Sequence, residues 1–171
     1  MSSPEKFFRL RLRSLGAVVL AAALTVSASA QLKVGDQFPS LAAAQLEGAL
    51  PDPAGKVLVV DFWASWCAPC KASFPALGQL HADYAARGVV LVGVSEDEKA
   101  KDYAAFLKKF APPFAVARDA THQLAQAAKP PAMPTTFVVG RDGRVRAIFT
   151  GYHGAESEKA LRAALDQALA P

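Results

Sequence analysis

The chain has two cysteines, Cys67 and Cys70, and two residues separate them. Because no third thiol is available, these two can form an intramolecular disulfide only with each other. If Cys67 begins a helix, its sulfur lies at the positive end of the helix dipole, which stabilises the thiolate and lowers the pKa of the thiol. Cys70, one turn further along, can then attack a mixed disulfide formed at Cys67. The spacing therefore predicts a two-electron redox switch.

A structural disulfide is the alternative interpretation of this pair. A loop closed over two intervening residues removes little conformational entropy from the unfolded chain, so it would stabilise the fold only weakly. We therefore favour a redox function for the two thiols.

A strand and a helix are expected to position the cysteines. Residues 56–63 form a short apolar run after a Pro/Gly-rich turn, which predicts a buried strand. Residues 68–87 carry apolar side chains at helical spacing, and Pro69 suits the first turn of a helix because its missing N–H breaks no hydrogen bond there. A CxxC motif at such a junction is strong evidence of redox function.

The rest of the chain predicts an alternation of strands and helices. A buried strand at 89–94 completes a strand–helix–strand unit with parallel strands. We expect a leader at 31–55 that forms a hairpin or a cover, a helix at 98–110 with Ser95 and Glu98 as a capping box, a strand at 114–117, a helix at 121–128, a hairpin of 135–139 and 145–150, and a helix at 154–169.

The first 30 residues predict a cleaved export signal. A basic start precedes twelve uncharged apolar residues at 15–26, and Ala28-Ser29-Ala30 supplies a small-residue cleavage pattern. Twelve residues fall short of the roughly 20 that span a bilayer, and an uncleaved N-terminal anchor is the alternative. We therefore expect a signal peptide at 1–30, one domain at 31–171 and the periplasm as the oxidising compartment.

Charge excludes one class of function. The export segment carries four of the 19 basic and one of the 15 acidic residues, which leaves 15 basic and 14 acidic residues. This near-neutral balance, without a clustered basic face, argues against nucleic-acid binding. No added dimerisation segment is evident, so we expect a monomer.

Three motifs together resemble the thioredoxin superfamily: residues 61–71 (DFWASWCAPCK), Phe74-Pro75, and residues 133–137 (MPTTF). The export segment, the leader, and an extra strand and helix before residue 133 make the chain most similar to the exported TlpA/ResA-like thiol-disulfide oxidoreductases. The resemblance covers residues 34–169. It implies an α/β fold in which helices flank a thioredoxin-like central mixed sheet, with an N-terminal extension and the inserted strand and helix before a cis-proline loop.

The same resemblance implies a client-binding surface. Pro134 is expected to follow a cis peptide bond and to face the cysteines, so that it offers a flat apolar wall. The Met133 backbone is then free to pair with an extended client peptide. Trp66 is expected to shield one side of the nucleophile, and Ala68 and Pro69 complete the predicted surface.

Asp61 is the third predicted catalytic residue. A carboxylate inside an apolar strand is costly to bury in its charged form, so its pKa should rise, and it could accept the Cys70 proton. The resemblance supports this role, because thioredoxins carry a buried acid at this position, although many exported relatives carry an amide. An exposed Asp at a strand end is the alternative. Ser73 stands where exported relatives often carry Glu.

These observations predict a periplasmic thiol-disulfide oxidoreductase whose redox group is the Cys67–Cys70 disulfide, without another cofactor. The Ala-Pro pair between the cysteines is similar to the Gly-Pro of reducing thioredoxins, which favours a disulfide reductase of envelope proteins. Such an enzyme needs a membrane thiol donor of electrons, and by family analogy apocytochrome c or a copper-site assembly factor is a natural client.

Four alternatives remain open at this stage. They are a disulfide-donating oxidase, a peroxide reductase, a metal-binding carrier that uses the two thiolates, and a partner-binding domain with an inert disulfide. We predict no metal site, because a closed site usually needs more soft or imidazole ligands than the motif supplies.

Overall fold

The computed structural model describes residues 30–170, so the predicted export segment lies almost wholly outside the described residues. The strands are β1 (Val57–Trp63), β2 (Val89–Ser95), β3 (Ala115–Arg118), β4 (Thr135–Val139) and β5 (Val145–Thr150). The helices are α1 (Ala68–Tyr84), α2 (Ala100–Phe110), α3 (Gln123–Ala128) and α4 (Ala155–Leu169), with single 3₁₀ turns at Ala42–Ala44 and Ala85–Arg87. No described helix is both long enough and apolar enough to cross a bilayer.

The five strands form one mixed sheet in the order β3-β2-β1-β4-β5. Strand β1 is central: it runs parallel to β2 and antiparallel to β4. Every residue of β1 and β2 is buried, which explains why both strands are continuous apolar runs rather than alternating patterns. The predicted thioredoxin-like fold, a mixed sheet with helices on both faces, is confirmed. Between β2 and β4, where one additional strand and one additional helix are predicted, the chain forms α2, β3 and α3.

Side chains of β1 alternate between two hydrophobic cores, because successive residues of a strand point to opposite faces. The odd-numbered apolar residues pack with α1, α2 and α4, and the even-numbered ones pack with α3 and the leader. On the α1 side, the Trp63 ring centroid lies 4.9 Å from that of Phe74 and 4.3 Å from that of Phe106. This aromatic cluster fixes the end of β1 against the helix that follows it.

The leader is a cover rather than a hairpin. Phe38 and Leu41 are buried in the core on the α3 side. Glu47 exchanges two backbone hydrogen bonds of 2.9 Å with Arg118, the last residue of the edge strand β3. Gln37 forms a second isolated bridge, with Arg144. The leader thus satisfies backbone groups that an edge strand would otherwise leave open.

The predicted capping box of α2 is wrong. Ser95 is the last residue of β2, and its hydroxyl donates a hydrogen bond to Asp97 instead of capping a helix. Helix α2 begins two residues later than predicted and has no side-chain cap. A strand that extends one residue further than its apolar run therefore removed the capping residue.

Candidate active site

Cys67 is the N-cap residue of α1, as the sequence predicts. Its Sγ accepts a hydrogen bond from the Cys70 backbone N–H at 3.2 Å, and it is joined to Cys70 by a disulfide with a Cα–Cα distance of 5.3 Å. Pro69 lies in the first turn of the helix. Cys67 is 4% exposed, whereas Cys70 is fully buried. Position and exposure both make Cys67 the sulfur that an incoming group can reach, at the positive end of the helix dipole.

Asp61 is buried, so the alternative of an exposed strand-end Asp is wrong. As an odd-numbered residue of β1, it points to the same face as Trp63, which packs in one cluster with the two cysteines. Its Oδ1 accepts a hydrogen bond of 2.6 Å from the Thr136 hydroxyl, and its Oδ2 has no hydrogen-bond partner. Burial raises the pKa of Asp61 to about 7, and the Thr136 hydrogen bond opposes that rise. The carboxyl can therefore exchange a proton near neutral pH.

The Met133–Pro134 peptide bond is cis, as the resemblance implies. Strand register pairs Thr135 with Phe62, so the loop before β4 lies at the end of the sheet where β1 leads into the cysteine motif. Met133 is partly buried and packs against the cluster that contains the two cysteines, whereas Pro134 is buried.

The remaining predicted surface residues are accessible. Trp66 is 70% exposed, and Ala68 and Pro69 are also exposed. These exposed side chains directly before and after Cys67 leave room for an extended chain to approach its sulfur.

Ser73 occupies the position where the resemblance gives an acid. Its side chain is buried and its hydroxyl donates a hydrogen bond of 2.9 Å to the Cys70 carbonyl oxygen. Ser73 also lines a cavity of about 30 Å³ together with Pro134 and Thr136. A small hydroxyl thus takes the place of a charged side chain beside the second cysteine.

Sequence reasoning missed a group of polar side chains at the end of β2. Asp97 accepts hydrogen bonds from Ser65, in the loop before Cys67. Glu96 donates its backbone N–H to the Trp63 carbonyl oxygen at 2.8 Å. The signal was available in principle, because the carboxyl ends of parallel strands meet at one edge of a sheet and polar residues follow both β1 and β2.

Glu96 is a second buried acid at this edge of the sheet, and its side chain pairs with that of His122. The two side chains lie 2.7 Å apart, and the second oxygen of Glu96 has no hydrogen-bond partner. Burial raises the pKa of Glu96 to about 7, and the hydrogen bond from His122 opposes that rise. The same contact raises the pKa of His122. No local pattern in the sequence indicates this pair, because the two residues are 26 positions apart.

Comparison with known proteins identifies the family to which the chain belongs. The model of the Redoxin family matches residues 33–165. The thiol-disulfide oxidoreductase ResA of Geobacillus thermodenitrificans is 30% identical over 157 residues, which cover 86% of this chain and 90% of the relative. ResA of Oceanobacillus iheyensis is also 30% identical, over 86% of this chain and 84% of the relative.

A solved structure agrees with these sequence relatives. It belongs to a Chlorobium tepidum protein described as a candidate thiol:disulfide interchange protein DsbE, and it superposes with a TM-score of 0.72 at 33% identity. The match covers 82% of this chain and all of that one. The CxxC helix, the cis proline, the family model and the relatives agree: the chain belongs to the Redoxin family and is a thiol-disulfide oxidoreductase with a thioredoxin-like fold.

Proposed function

We propose that the chain is a periplasmic disulfide reductase of envelope client proteins. The observation that carries this proposal is the N-cap position of Cys67, whose sulfur already accepts an N–H from the first turn of α1. That geometry stabilises a thiolate over a thiol, and a stabilised thiolate is the nucleophile of disulfide exchange.

The reaction has two exchange steps. The Cys67 thiolate attacks one sulfur of a client disulfide; a Cys67–client S–S bond forms, the client S–S bond breaks, and the other client sulfur leaves as a thiolate. Ionised Asp61 then accepts the Cys70 proton, and the Cys70 thiolate attacks the Cys67 sulfur. The second client sulfur is released and the Cys67–Cys70 disulfide closes, so the client gains two electrons and the enzyme loses two.

The raised pKa of Asp61 supports its role as the base in the second step. A carboxyl with a pKa of about 7 is partly ionised near neutral pH, and it binds a proton more tightly than an exposed Asp does. Its place on the cysteine face of β1 supports the same assignment.

The client is proposed to bind across the exposed Trp66, Ala68 and Pro69 and beside Met133 and Pro134. An extended peptide could form hydrogen bonds with the Met133 backbone, as peptides do that add a strand to the edge of a sheet in other recognition sites. We propose a membrane thiol donor as the source of electrons, because an oxidising compartment offers no pool of soluble reductant. By analogy alone, we propose apocytochrome c or a copper-site assembly factor as the client.

Trapping of the mixed disulfide tests this mechanism. The Cys70→Ser and Cys67→Ser variants, each reduced, are mixed with oxidised insulin, and products are separated on a non-reducing gel and by mass. We expect Cys70→Ser to accumulate an insulin adduct at Cys67 and to lose turnover, and Cys67→Ser to form no adduct. Turnover that survives in Cys67→Ser contradicts the mechanism.

The same variants separate the alternatives. Peroxide-driven turnover that survives in Cys70→Ser indicates a peroxide reductase, and equimolar metal retained by the reduced wild-type protein indicates a metal carrier. A Cys67→Ser variant that supports the full cellular phenotype indicates a partner-binding domain. Net oxidation of reduced insulin from the disulfide form, without net reduction, indicates an oxidase.

A further inference from the structure

Residues 64–66 form the loop that leads into α1 and so determine the position of Cys67. A buried carboxylate from outside this loop, that of Asp97, accepts hydrogen bonds from it. Asp97 is 2% exposed and lies just beyond β2. Its Oδ1 accepts the Ser65 backbone N–H at 3.0 Å and the Ser65 hydroxyl at 2.7 Å, and its Oδ2 accepts the same N–H at 3.1 Å. One residue of the loop is thus held through both its backbone and its side chain.

Asp97 is itself fixed by groups that do not belong to the loop. The Ser95 hydroxyl donates to Oδ2 at 2.8 Å and accepts the Asp97 backbone N–H at 3.1 Å. The Arg118 guanidinium donates to the carbonyl oxygens of Asp97 and Glu98 at 3.2 and 3.0 Å, and it forms an ion pair of 2.8 Å with Glu47 of the leader. Asp97 is therefore anchored to β2 through its carboxylate and to β3 through its backbone carbonyl oxygen, and Arg118 links this contact to the leader.

From this arrangement we propose that Asp97 is a positioning residue: its carboxylate holds Ser65, and through Ser65 keeps the Cys67 sulfur in place at the N-terminus of α1. The inference rests on Cys67 being the attacking thiol of the proposed function. Asp97 touches neither cysteine directly. It acts through residues 64–66, which connect β1 to Cys67.

The physical reason is the short range of the interaction that activates Cys67. The influence of a helix dipole falls off within the first turn, and the N–H that reaches Cys67 does so at 3.2 Å. Without the Asp97 carboxylate, the part-buried Ser65 N–H would lose its acceptor, and an N–H that lacks a protein partner favours a shift of the loop toward water. The Cys67 sulfur would then leave its place at the helix start and its thiolate would be stabilised less.

Loss of the Asp97 charge without movement of the loop would shift the pKa of Cys67 in the opposite direction to loss of its position, which makes the proposal testable. A carboxylate near a thiolate disfavours it, so loss of charge without movement would lower the pKa of Cys67. Loss of position would raise it. Asp97→Asn separates the two effects further, because the amide oxygen can still accept from Ser65 and the amide N–H₂ can donate to the Ser95 hydroxyl.

The test measures the pH dependence of iodoacetamide alkylation of Cys67 in the reduced full-length protein, together with the reduction potential and the unfolding midpoint. We expect Asp97→Ala to leave about fivefold less thiolate at a fixed pH below the pKa of Cys67, a loss within the range of helix-dipole interactions. We expect Asp97→Asn to remain within about twofold of wild type, since its hydrogen bonds persist.

Asp102→Ala is the matched charge control. Asp102 is exposed on the first turn of α2 and lines the same surface groove as Ser65, but it makes no bond to the loop side chains. A pKa of Cys67 that falls in Asp97→Ala as it does in Asp102→Ala overturns the proposal, because charge alone would then explain it. An unchanged pKa of Cys67 with a lower unfolding midpoint also overturns it, because Asp97 would then be purely structural.

Ser65→Ala keeps the proposal testable where Asp97→Ala does not fold. It removes only the hydroxyl contact with Asp97, so we expect a smaller loss of thiolate in the same direction, and no loss contradicts the proposal. A low pKa of wild-type Cys67 that no variant moves overturns this inference alone. A wild-type Cys67 that titrates as an ordinary thiol overturns the proposed function as well.

Discussion

At the scale of single residues, the site combines a sulfur whose surroundings favour the thiolate with a carboxyl whose pKa is raised to about 7. Cys67 accepts an N–H at the start of α1, which favours its thiolate. Asp61 has one oxygen bonded to Thr136 and one without a partner, which favours its protonated form. Environments that shift two pKa values in opposite directions suit the roles proposed for these residues, Cys67 as nucleophile and Asp61 as proton acceptor.

Asp61→Asn should slow the second exchange step and leave the first unchanged. The amide cannot accept the Cys70 proton, so we expect release of the second client sulfur to slow by about 100-fold, the lower part of the range for a general base. Rapid-mixing and quench experiments that start from the Cys67–client mixed disulfide measure the rate of that step. The first step is measured in a Cys70→Ser background, with and without Asp61→Asn. Equal rates of the second step in wild type and Asp61→Asn contradict the role of Asp61 as the base.

The same substitution should stabilise the protein at neutral pH but not in acid. Below about pH 3 the carboxyl is protonated in the folded and unfolded states, so wild type and Asp61→Asn should have similar stability. As the pH rises from 3.8 toward 7, the unfolded state loses its proton first, and the wild type loses stability relative to the variant. The full difference is of order 4 kcal/mol, reached above about pH 7.

Urea unfolding of the oxidised protein at several pH values between about 3 and 8 measures this difference. Glu96 has a raised pKa in the same range, but it is present in both proteins and cancels in the comparison. A stability difference that stays constant across this range would show that Asp61 is already ionised in the folded protein.

At the scale of secondary structure, the sequence predicts the elements that carry a strong local pattern. The prediction of β1 and β2 was accurate to within one residue because both are continuous apolar runs between clear breaks. The Cys67 N-cap and the first-turn Pro69 were predicted because helix starts have local rules.

Contacts between distant segments could not be predicted in this way. Asp97 meets Ser65 across 32 residues of sequence, and His122 meets Glu96 across 26. Each contact depends on which strands become neighbours and on their register, and neither is encoded in a local pattern. The capping box failed for a related reason, since tertiary pairing extended β2 through Ser95.

The contact between the leader and β3 gives a prediction at this scale. Gly48 has a φ of +147°, and a Cβ there would lie 2.7 Å from the Val116 carbonyl oxygen. We expect Gly48→Ala to destabilise the fold by about 3 kcal/mol, because backbone strain and a backbone clash add. Gly55→Ala is the control: its φ is +69°, nothing lies within 4 Å of a Cβ, and we expect a loss of about 1 kcal/mol. Equal losses in urea unfolding would mean that the leader can move away from β3.

At the scale of the whole molecule, charge and exposed surface bear on where clients would bind in the proposed enzyme. Residues 31–171 carry nearly balanced charge. Among residues 30–170, the large apolar side chains that are exposed are Val34 and Trp66, and Trp66 lies directly before the nucleophile. The exposed Trp66 beside Cys67 supports the proposed client-binding surface, because exposed apolar side chains mark interaction sites.

Export predicts a defined mature N-terminus. We expect the protein recovered from the periplasm to begin at Gln31, because Ala28 and Ala30 provide the small residues that signal cleavage requires. Amino-terminal sequencing of the purified protein measures this directly. Ala30→Leu serves as the control, since a large residue at the cleavage site should leave the precursor intact. A wild-type protein that keeps its first 30 residues and stays in the membrane fraction would indicate an N-terminal anchor instead.

The reduction potential of the Cys67–Cys70 pair tests the proposed reductase function most directly. It is measured by equilibrating the protein with a series of glutathione or dithiothreitol buffers and determining the fraction of disulfide in each. Reductase function predicts a potential near that of thioredoxin, about −270 mV, because the dithiol must give electrons to its clients. A potential near that of the strong oxidants, about −120 mV, would contradict it and make the protein a donor of disulfides.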